Sequence, residues 1–261
     1  MKENKQVVAV VGDFKFLFKY FSNFFLNLTN KGNYKGEIVI LTSLITPTFL
    51  INSIRKNKNV SVVRFPNIIF TRKIKKRYLN LDTNNQPNRF ETKNFQWFKL
   101  NLFHAKMRKW EHVLYLDINL TVHHDINKIM ELKPLNIFYA KADAYPEYNR
   151  VLESQFDTSQ PEINDLRKKY NLSSNNYFQS GLIYYDTSII KDNTLKEIVN
   201  LAHRYPISIT NEQGILNLYF QKKVDTYIEL PEYLDDYIIY FYWKIANKKI
   251  IITKQLVEQY K

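Results

Sequence analysis

Residues 112–119 read His112-Val113-Leu114-Tyr115-Leu116-Asp117-Ile118-Asn119, an aliphatic run that ends in two short polar side chains one residue apart. The run has the composition of a strand that is covered on both faces. Asp117 and Asn119 fall where such a strand ends, and ligands of α/β sheets bind in the crevice outside the carboxyl ends of the strands. Two oxygen-bearing side chains at this place can coordinate a hard divalent cation. Taken alone, however, Asp-x-Asn is more typical of a structural turn than of a metal site, because turns are rich in Asp and Asn.

Apolar runs bounded by polar turns alternate with stretches of helical period along the rest of the chain, which predicts an α/β architecture. We expect strands at 7–11, 38–41, 60–65, 113–116, 136–140 and 182–185. We expect helices at 17–29, 47–57, 92–109, 189–204 and 211–222. Two stretches, 71–91 and 142–178, are predicted as long loops of the kind that form lids or binding sites. No linker or internal repeat divides the sequence, so residues 1–261 are predicted to form a single domain.

Net charge, cysteine content and glycine content indicate which classes of partner and chemistry are possible. The formal charge of +13 favours polyanionic partners such as nucleic acid, an anionic membrane or phosphorylated substrates. The absence of cysteine excludes disulfides and thiolate chemistry. With only five glycines, the chain contains neither a dinucleotide-binding G-x-G-x-x-G nor a P-loop. If the protein binds a nucleotide, it holds the phosphates by another device, and a metal ion on acidic side chains is the first candidate.

The N-terminal residues are polar and lead directly into a short apolar run at 7–11. This run is too short for the apolar part of a signal peptide, and no later segment reaches the length of a membrane span. We therefore expect a cytoplasmic protein without a transmembrane segment.

Four blocks in order resemble glycosyltransferase family 8, the glycogenin and galactinol synthase type with a GT-A fold. The family pattern runs from an aromatic-x-W-x-K block through Y-L-D-x-D and F-N-S-G to D-Q-x-x-L-N. The corresponding blocks of this chain are Phe95-Gln96-Trp97-Phe98-Lys99, Tyr115-Leu116-Asp117-Ile118-Asn119, Phe178-Gln179-Ser180-Gly181 and Glu212-Gln213-Gly214-Ile215-Leu216-Asn217. The resemblance covers about residues 6–231, with 232–261 closing the site. It implies a Rossmann-like domain with a mostly parallel central sheet flanked by helices.

The resemblance also implies roles for particular residues. The catalytic pair would be Glu212 and Gln213, beneath the reacting face of the donor sugar. The metal ligands would be Asp117 and Asn119, binding a divalent cation that we expect to be Mn²⁺. The residues expected to bind the donor are Val11, Gly12, Asp13, Lys99, Asp117, Ile118, Asn119, Gln179, Ser180, Gly181, Lys244 and Lys248.

This chain departs from the family at two places. Asn119 replaces the second acid of the metal-binding pair and lacks the charge that makes carboxylates strong ligands. The C-terminal H-x-x-G-x-x-K-P-W motif, which supplies a further ligand, has no histidine in the nearest segment, 240–249. His123 or His124 could substitute as a ligand, although a solvated or helix-capping stretch before Asp125 is the more typical interpretation of this segment. Alternatively, Lys244, Lys248 or Lys249 could neutralise the diphosphate instead of a strongly held metal.

The implied reaction is the retaining transfer of a hexose from a UDP-sugar to an acceptor hydroxyl of a glycan or protein, a step in glycan biosynthesis. A homodimer is left open, and nucleic acid is not expected as a partner. One alternative is a weakened GT-A domain that serves as a binding module, which the two departures favour. Another is a basic nucleic-acid-binding protein, which rests on the charge and on the cluster Arg72-Lys73-Ile74-Lys75-Lys76-Arg77. No helix-turn-helix, zinc module or RNP-like strand supports this second alternative.

Overall fold

The computed structural model describes residues 6–81, 94–223, 226–241 and 249–254. The strands in this part are β1 Gln6–Val11, β2 Glu37–Ser43, β3 Val60–Phe65, β4 His112–Leu116, β5 Leu120–Val122, β6 Phe138–Ala142, β7 Phe178–Asp186, β8 Tyr227–Glu229, β9 Tyr233–Leu234, β10 Tyr237–Phe241 and β11 Ile250–Lys254. Seven of them form the main sheet in the order β3-β2-β1-β4-β7-β6-β8. All neighbours in this sheet pair in parallel except β7, which runs antiparallel to β4 and β6.

Helices cover both faces of the main sheet. The α-helices are α1 Phe14–Leu26, α2 Thr48–Arg55, α3 Arg72–Leu79, α4 Asn127–Met130, α5 Glu162–Lys169, α6 Thr194–Arg204 and α7 Glu212–Lys223. The 3₁₀ segments are Asn94–Phe103, Ala105–Lys109, Leu152–Gln155 and Thr187–Ile189, and α1 continues into a π-helical turn, Asn27–Lys31. The predicted α/β class with a mostly parallel central sheet is confirmed.

The apolar strands explain why both faces are covered. In β1, Val7, Ala9 and Val11 belong to one hydrophobic cluster, whereas Val8 and Val10 belong to the other. Successive side chains of a strand point to opposite faces, so a strand that is apolar throughout requires cover on both. The first cluster packs against the 3₁₀ region, α6 and α7, and the second packs against α1 and α2.

A second sheet, which the sequence did not predict, lies in the order β5-β11-β10-β9. Its strand β5 directly follows the turn at Asp117–Asn119, and β11 pairs with it in antiparallel register. The C-terminal strands are therefore attached to the chain just beyond the acidic turn.

The prediction of one α-helix over 92–109 was wrong. The described part of this stretch forms two 3₁₀ segments, separated at His104, whose Nδ1 accepts a hydrogen bond from the Lys106 N–H at 3.0 Å. Trp97, Leu100 and Phe103 are buried and recur every three residues. This spacing matches the three residues per turn of a 3₁₀-helix rather than the 3.6 of an α-helix.

Both predicted loops contain helices. The basic cluster at 72–77 lies in α3, which Thr71 caps by accepting a hydrogen bond from the Ile74 N–H at 3.3 Å. Tyr78 is 3% exposed and anchors this helix to the core. Residues 142–178 contain a 3₁₀ segment and α5. Smaller differences concern the start of β6, predicted at 136, and the start of α6, predicted at 189.

Candidate active site

The candidate active site lies where the end of β4 meets the start of β7 and the first turn of α7. Because β7 runs antiparallel to β4, its first residues lie at the carboxyl end of β4, with Leu182 opposite Leu116. The Asp117 backbone N–H donates to the Gly181 carbonyl oxygen at 2.8 Å. The acidic turn and the Gln-Ser-Gly block are therefore neighbours in the structure.

The ammonium group of Lys99 lies at the centre of this site. Its Nζ atom is 2.9 Å from Asp117 Oδ1 and 3.0 Å from Glu212 Oε1. It is also 3.3 Å from the Ser180 carbonyl oxygen and 3.2 Å from Ser180 Oγ. The side chains of Lys99 and Glu212 are 3% and 1% exposed, whereas that of Asp117 is 17% exposed. Lys99, Asp117, Ser180 and Glu212, which we call the Lys99 cluster, are thus brought together around one buried cation.

Charge compensation keeps this cation ionised. Burial lowers the pKa of Lys99, but the charges of Asp117 and Glu212 outweigh it, so that its pKa lies above the ordinary value. Burial, reinforced by Asp117, raises the pKa of Tyr115 well above its ordinary value. The neutral Tyr115 hydroxyl donates a hydrogen bond to Asp117 Oδ1. One oxygen of Asp117 is therefore engaged by two donors.

Glu212 offers one carboxylate oxygen that is not engaged. Its Oε1 accepts hydrogen bonds from Lys99 and from Ser180 Oγ, the latter at 2.8 Å. Its Oε2 is buried and has no hydrogen-bond partner in the described part of the chain. A buried acceptor without a partner costs free energy, so such an atom is expected to meet a ligand or water. Glu212 also begins α7, where the helix dipole stabilises its negative charge.

The amide of Gln213 belongs to a chain of hydrogen bonds. Its Oε1 accepts from the Ser180 N–H at 3.0 Å, and its Nε2 donates to Gln155 Oε1 at 2.8 Å. Gln155 Nε2 donates in turn to Asp143 Oδ2 at 3.1 Å. A backbone N–H can only donate and a carboxylate can only accept, so the two ends fix the orientation of both amides.

Gln179 points away from the Lys99 cluster. Its Oε1 accepts a hydrogen bond from the Tyr240 hydroxyl at 3.2 Å, on the side of the second sheet. Gly181 lies between the two sides: a Cβ atom at this position would be 3.5 Å from both Asp117 Oδ2 and the Tyr240 hydroxyl oxygen. The missing side chain of Gly181 thus leaves space beside the second oxygen of Asp117.

A cleft of about 470 Å³ opens beside the ends of β1 and β2. Its lining residues are Asp13, Phe14, Lys15, Ser43, Ile45, Thr46, Asn67, Ile68, Ile69, Phe70, Lys75, Phe95, Trp97 and Phe98. Asp13 lies in the cleft and also caps α1, accepting from the Phe16 N–H at 2.9 Å. Val11 is 1% exposed and belongs to the core. The buried Gly12 carbonyl oxygen accepts from Thr42 Oγ1 at 2.7 Å.

The remaining predicted site residues lie in the core, in the turn before β5, at the second sheet or outside the described residues. Ile118 is 3% exposed in the hydrophobic core, and Asn119 is half-buried in the turn before β5. His123 Nε2 lies 2.8 Å from Thr253 Oγ1, and the His124 ring packs edge-on against Tyr237. Both histidines are therefore held by the second sheet. Lys244 and Lys248 lie outside the described residues.

No protein-family model and no curated protein matches this sequence. Solved structures do match its fold. The bifunctional glycosyltransferase WbbM has a TM-score of 0.58 at 15% identity, and the match covers 99% of this chain and 46% of WbbM. Galactosyltransferase LgtC, solved with donor and acceptor sugar analogues, has a TM-score of 0.53 at 12% identity, and the match covers 87% of this chain and 73% of LgtC. Core-mannan synthase A from Aspergillus fumigatus, in a Mn/GDP form, has a TM-score of 0.55 at 9% identity, and the match covers 88% of this chain and 73% of the synthase.

The chain has the GT-A glycosyltransferase fold. It spans less than half the length of WbbM. Among the described residues, no helix combines the length and the apolar character needed to cross a bilayer. The GT-A fold was predicted from the order of the four sequence blocks, and these structural matches confirm it. They do not distinguish between the families that share the fold.

Proteins with the GT-A fold include the manganese-bound form of core-mannan synthase A. In the described part of this chain, no three His, Cys, Asp or Glu side chains form a group that could hold a metal ion. Of the two predicted metal ligands, Asp117 has its Oδ1 engaged, so its Oδ2 and the Asn119 amide oxygen remain for a cation. Such a pair fits a weakly held ion that is shared with substrate phosphates rather than an enclosed metal centre.

The sequence did not predict three members of this site. Tyr115 could have been found, because it lies two residues before Asp117 and therefore on the same face of the strand. Asp143 and Gln155 lie in the stretch 142–178, where no periodic pattern indicates which side chains turn inward. Their role follows only from the hydrogen bonds that connect them to Gln213.

Proposed function

We propose that this chain is a retaining glycosyltransferase that transfers a hexose from a UDP-sugar to a hydroxyl of a glycan or protein acceptor. The observation that carries the proposal is the Lys99 cluster, with its buried and unengaged Glu212 Oε2, in the crevice where α/β folds bind ligands. LgtC, which has the same fold, was solved with donor and acceptor sugar analogues.

In this reaction the bond between the anomeric carbon and the diphosphate oxygen breaks, and a bond from the acceptor oxygen forms on the same face of the sugar. The proton of the acceptor hydroxyl leaves with the departing diphosphate. Positive charge develops at the anomeric carbon, and a fixed negative group beside it lowers the barrier. Glu212 supplies this charge, and Lys99 with Ser180 holds its Oε1 in place.

The donor would span the cleft and the Lys99 cluster. The nucleoside would bind in the cleft lined by Asp13, Ser43 and Phe98. The donor sugar would lie beside Ser180, Gly181 and Gln213. Asp117 and Asn119 would hold a divalent cation, which would offset the negative charge of the diphosphate. This cation would be Mn²⁺ by analogy with core-mannan synthase A. Lys244 and Lys248 remain proposed diphosphate contacts.

The test is a hydrolysis assay over a library of UDP-sugars, in Mn²⁺ and in EDTA, together with donor-induced thermal shifts. Glu212→Gln keeps the shape of the side chain and removes its charge, so we expect turnover to fall by about a hundredfold or more while the thermal shift stays. The control is Glu131→Gln, an exposed acid directly after α4 that is not part of the Lys99 cluster or the cleft. Unchanged turnover of Glu212→Gln would contradict the proposed role.

A second candidate function is a GT-A domain that binds a nucleotide sugar without transferring it. The observation that favours it is the engagement of Asp117 Oδ1 by Lys99 and Tyr115, together with Asn119 in place of an acid. Thermal stabilisation by a UDP-sugar, with no hydrolysis for any donor in the library, would support this function over the first.

A further inference from the structure

The positive charge of the chain is concentrated in one part of the sequence. Residues 14–81 contain thirteen Lys and Arg and a single acidic residue, Glu37. Their net charge of +12 accounts for nearly all of the +13 of the whole chain. These residues form α1, β2, α2, β3 and α3, so the charge belongs to one side of the fold. A field of this kind attracts anionic surfaces.

The same part of the chain exposes large apolar side chains. We call Phe14, Phe18, Ile45, Phe49 and Ile69 the apolar patch; they are 39%, 70%, 80%, 63% and 79% exposed. The patch is contiguous, since the Phe14 ring lies 5.9 Å from that of Phe18 and 6.1 Å from that of Phe49. Phe14, Ile45 and Ile69 also line one cleft. Contiguous exposed apolar side chains mark interaction surfaces.

Basic side chains border the apolar patch. Lys15 and Lys19 each follow a patch phenylalanine on α1, and Lys75 lines the same cleft as Ile69. Lys73 and Lys76 are exposed on α3. None of these five lysines forms an ion pair with a described residue, whereas Arg77 is neutralised by Glu162. Lys15, Lys19 and Lys75 therefore place positive charge beside the apolar side chains, and Lys73 and Lys76 add to it on α3.

We propose that the apolar patch and its basic border bind the surface of an anionic lipid bilayer. Apolar side chains insert at the boundary between headgroups and acyl chains, and lysines around them pair with anionic headgroups. Nucleic acid would use the charge but leaves the exposed Ile45 and Ile69 without an apolar partner. A contact of this kind is peripheral, because the side chains reach only the boundary between headgroups and acyl chains.

The test is flotation with vesicles of phosphatidylcholine alone and of phosphatidylcholine and phosphatidylglycerol in equal parts. We expect binding to the anionic vesicles only, weakened by salt. The variants Phe18→Ser/Phe49→Ser and Lys73→Glu/Lys76→Glu should each weaken it by about tenfold or more. These four residues do not line the cleft, so nucleotide-sugar binding should be unchanged in both variants.

Matched controls come from the other part of the molecule. Leu135→Ser/Ile228→Ser removes exposed apolar side chains and Lys133→Glu/Lys196→Glu reverses exposed charges, and neither should change binding. Three results would overturn the proposal. They are failure to float with anionic vesicles, equal loss in the control variants, and a soluble dimer that Phe18→Ser/Phe49→Ser dissociates. Tighter binding to a DNA duplex that is insensitive to Phe18→Ser/Phe49→Ser would also overturn it, in favour of nucleic acid.

Discussion

Lys99 is a buried cation whose charge is compensated by carboxylates from two different elements. Asp117 follows β4 and Glu212 begins α7, so the two ion pairs tie the 3₁₀ segment to the sheet and to a helix. The cluster carries one positive and two negative charges. Removing the cation would leave both carboxylates without compensation in a site that is nearly closed to water, and that is costly.

We therefore expect Lys99→Met to lower the free energy of unfolding by about 3–5 kcal/mol, measured by urea denaturation. Adding Glu212→Gln to this variant should restore part of the loss, because one of the uncompensated charges disappears. The control is Lys168→Met on the exposed face of α5, which should change stability by less than about 0.5 kcal/mol. A Lys99→Met variant as stable as the parent would show that the carboxylates do not depend on the ammonium.

Gln155 is a positioning residue for Gln213. It is 4% exposed, and its amide connects Gln213 to the carboxylate of Asp143. Gln155→Leu should lower kcat by about tenfold with little change in donor affinity, since the Gln213 amide loses the partner that fixes its orientation. The measurement is the split between kcat and KM in the hydrolysis assay.

The direction of this chain of hydrogen bonds provides the control. Gln155→Glu places a second carboxylate against Asp143 and should be worse than Gln155→Leu. Combining it with Asp143→Asn restores a donor–acceptor pair, because the new amide donates to Glu and Glu still accepts from Gln213. If the double variant recovers no activity, the orientation of Gln213 does not depend on this chain.

At the scale of elements, the start of α7 determines where Glu212 and Gln213 lie. Ser208 Oγ donates to the Asn211 carbonyl oxygen at 2.7 Å and so holds the turn before the helix. Gly214 packs against this turn: a Cβ atom there would lie 2.5 Å from Ser208 Oγ and 3.2 Å from the Phe156 ring. The first turn of α7 can approach the turn only because residue 214 has no side chain.

Gly214→Ala should accordingly destabilise the protein by about 1–3 kcal/mol, because the overpacked turn or the helix must move. Ser208→Ala in the same chain removes the closest atom and should recover part of the loss. Gly181→Ala is the matched comparison, since its Cβ would meet ordinary contact distances of 3.5 Å. We expect Gly181→Ala to keep its thermal stability and lose donor binding; equal stability loss in both alanine variants would contradict this distinction.

Element prediction succeeded where periodicity was simple. Runs of apolar residues mark the interiors of β1, β2 and β4, and the five strands β1, β2, β3, β4 and β6 were each predicted within two residues of their observed start. Strand β7 begins earlier than predicted, at Phe178. The start of β7 is polar, with Gln179 and Ser180, because it forms part of the site rather than of the core alone. The helix over 92–109 was predicted wrongly because its buried residues are spaced by three as well as by four, and the spacing of three, which is typical of a 3₁₀-helix, was not treated separately.

At the scale of the whole molecule, two kinds of surface occupy different parts of the fold. Residues 14–81 carry the net positive charge and the apolar patch, whereas the Lys99 cluster lies around β4, β7 and α7. Phe14 and Ile69 of the patch line the cleft, and so do Trp97 and Phe98 of the 3₁₀ segment that carries Lys99. A bilayer on the patch would therefore lie near the mouth of the cleft.

The sequence by itself determined the α/β class, the positions of the central strands and the concentration of positive charge in residues 14–81. Each of these depends on neighbours along the chain, so local patterns reveal them. Only the tertiary structure decided that Lys99 pairs with Asp117 and Glu212, that Gln155 orients Gln213, and that β11 joins β5. Such contacts bring together residues far apart in sequence, and their geometry is set by how helices and strands pack, which no local pattern records.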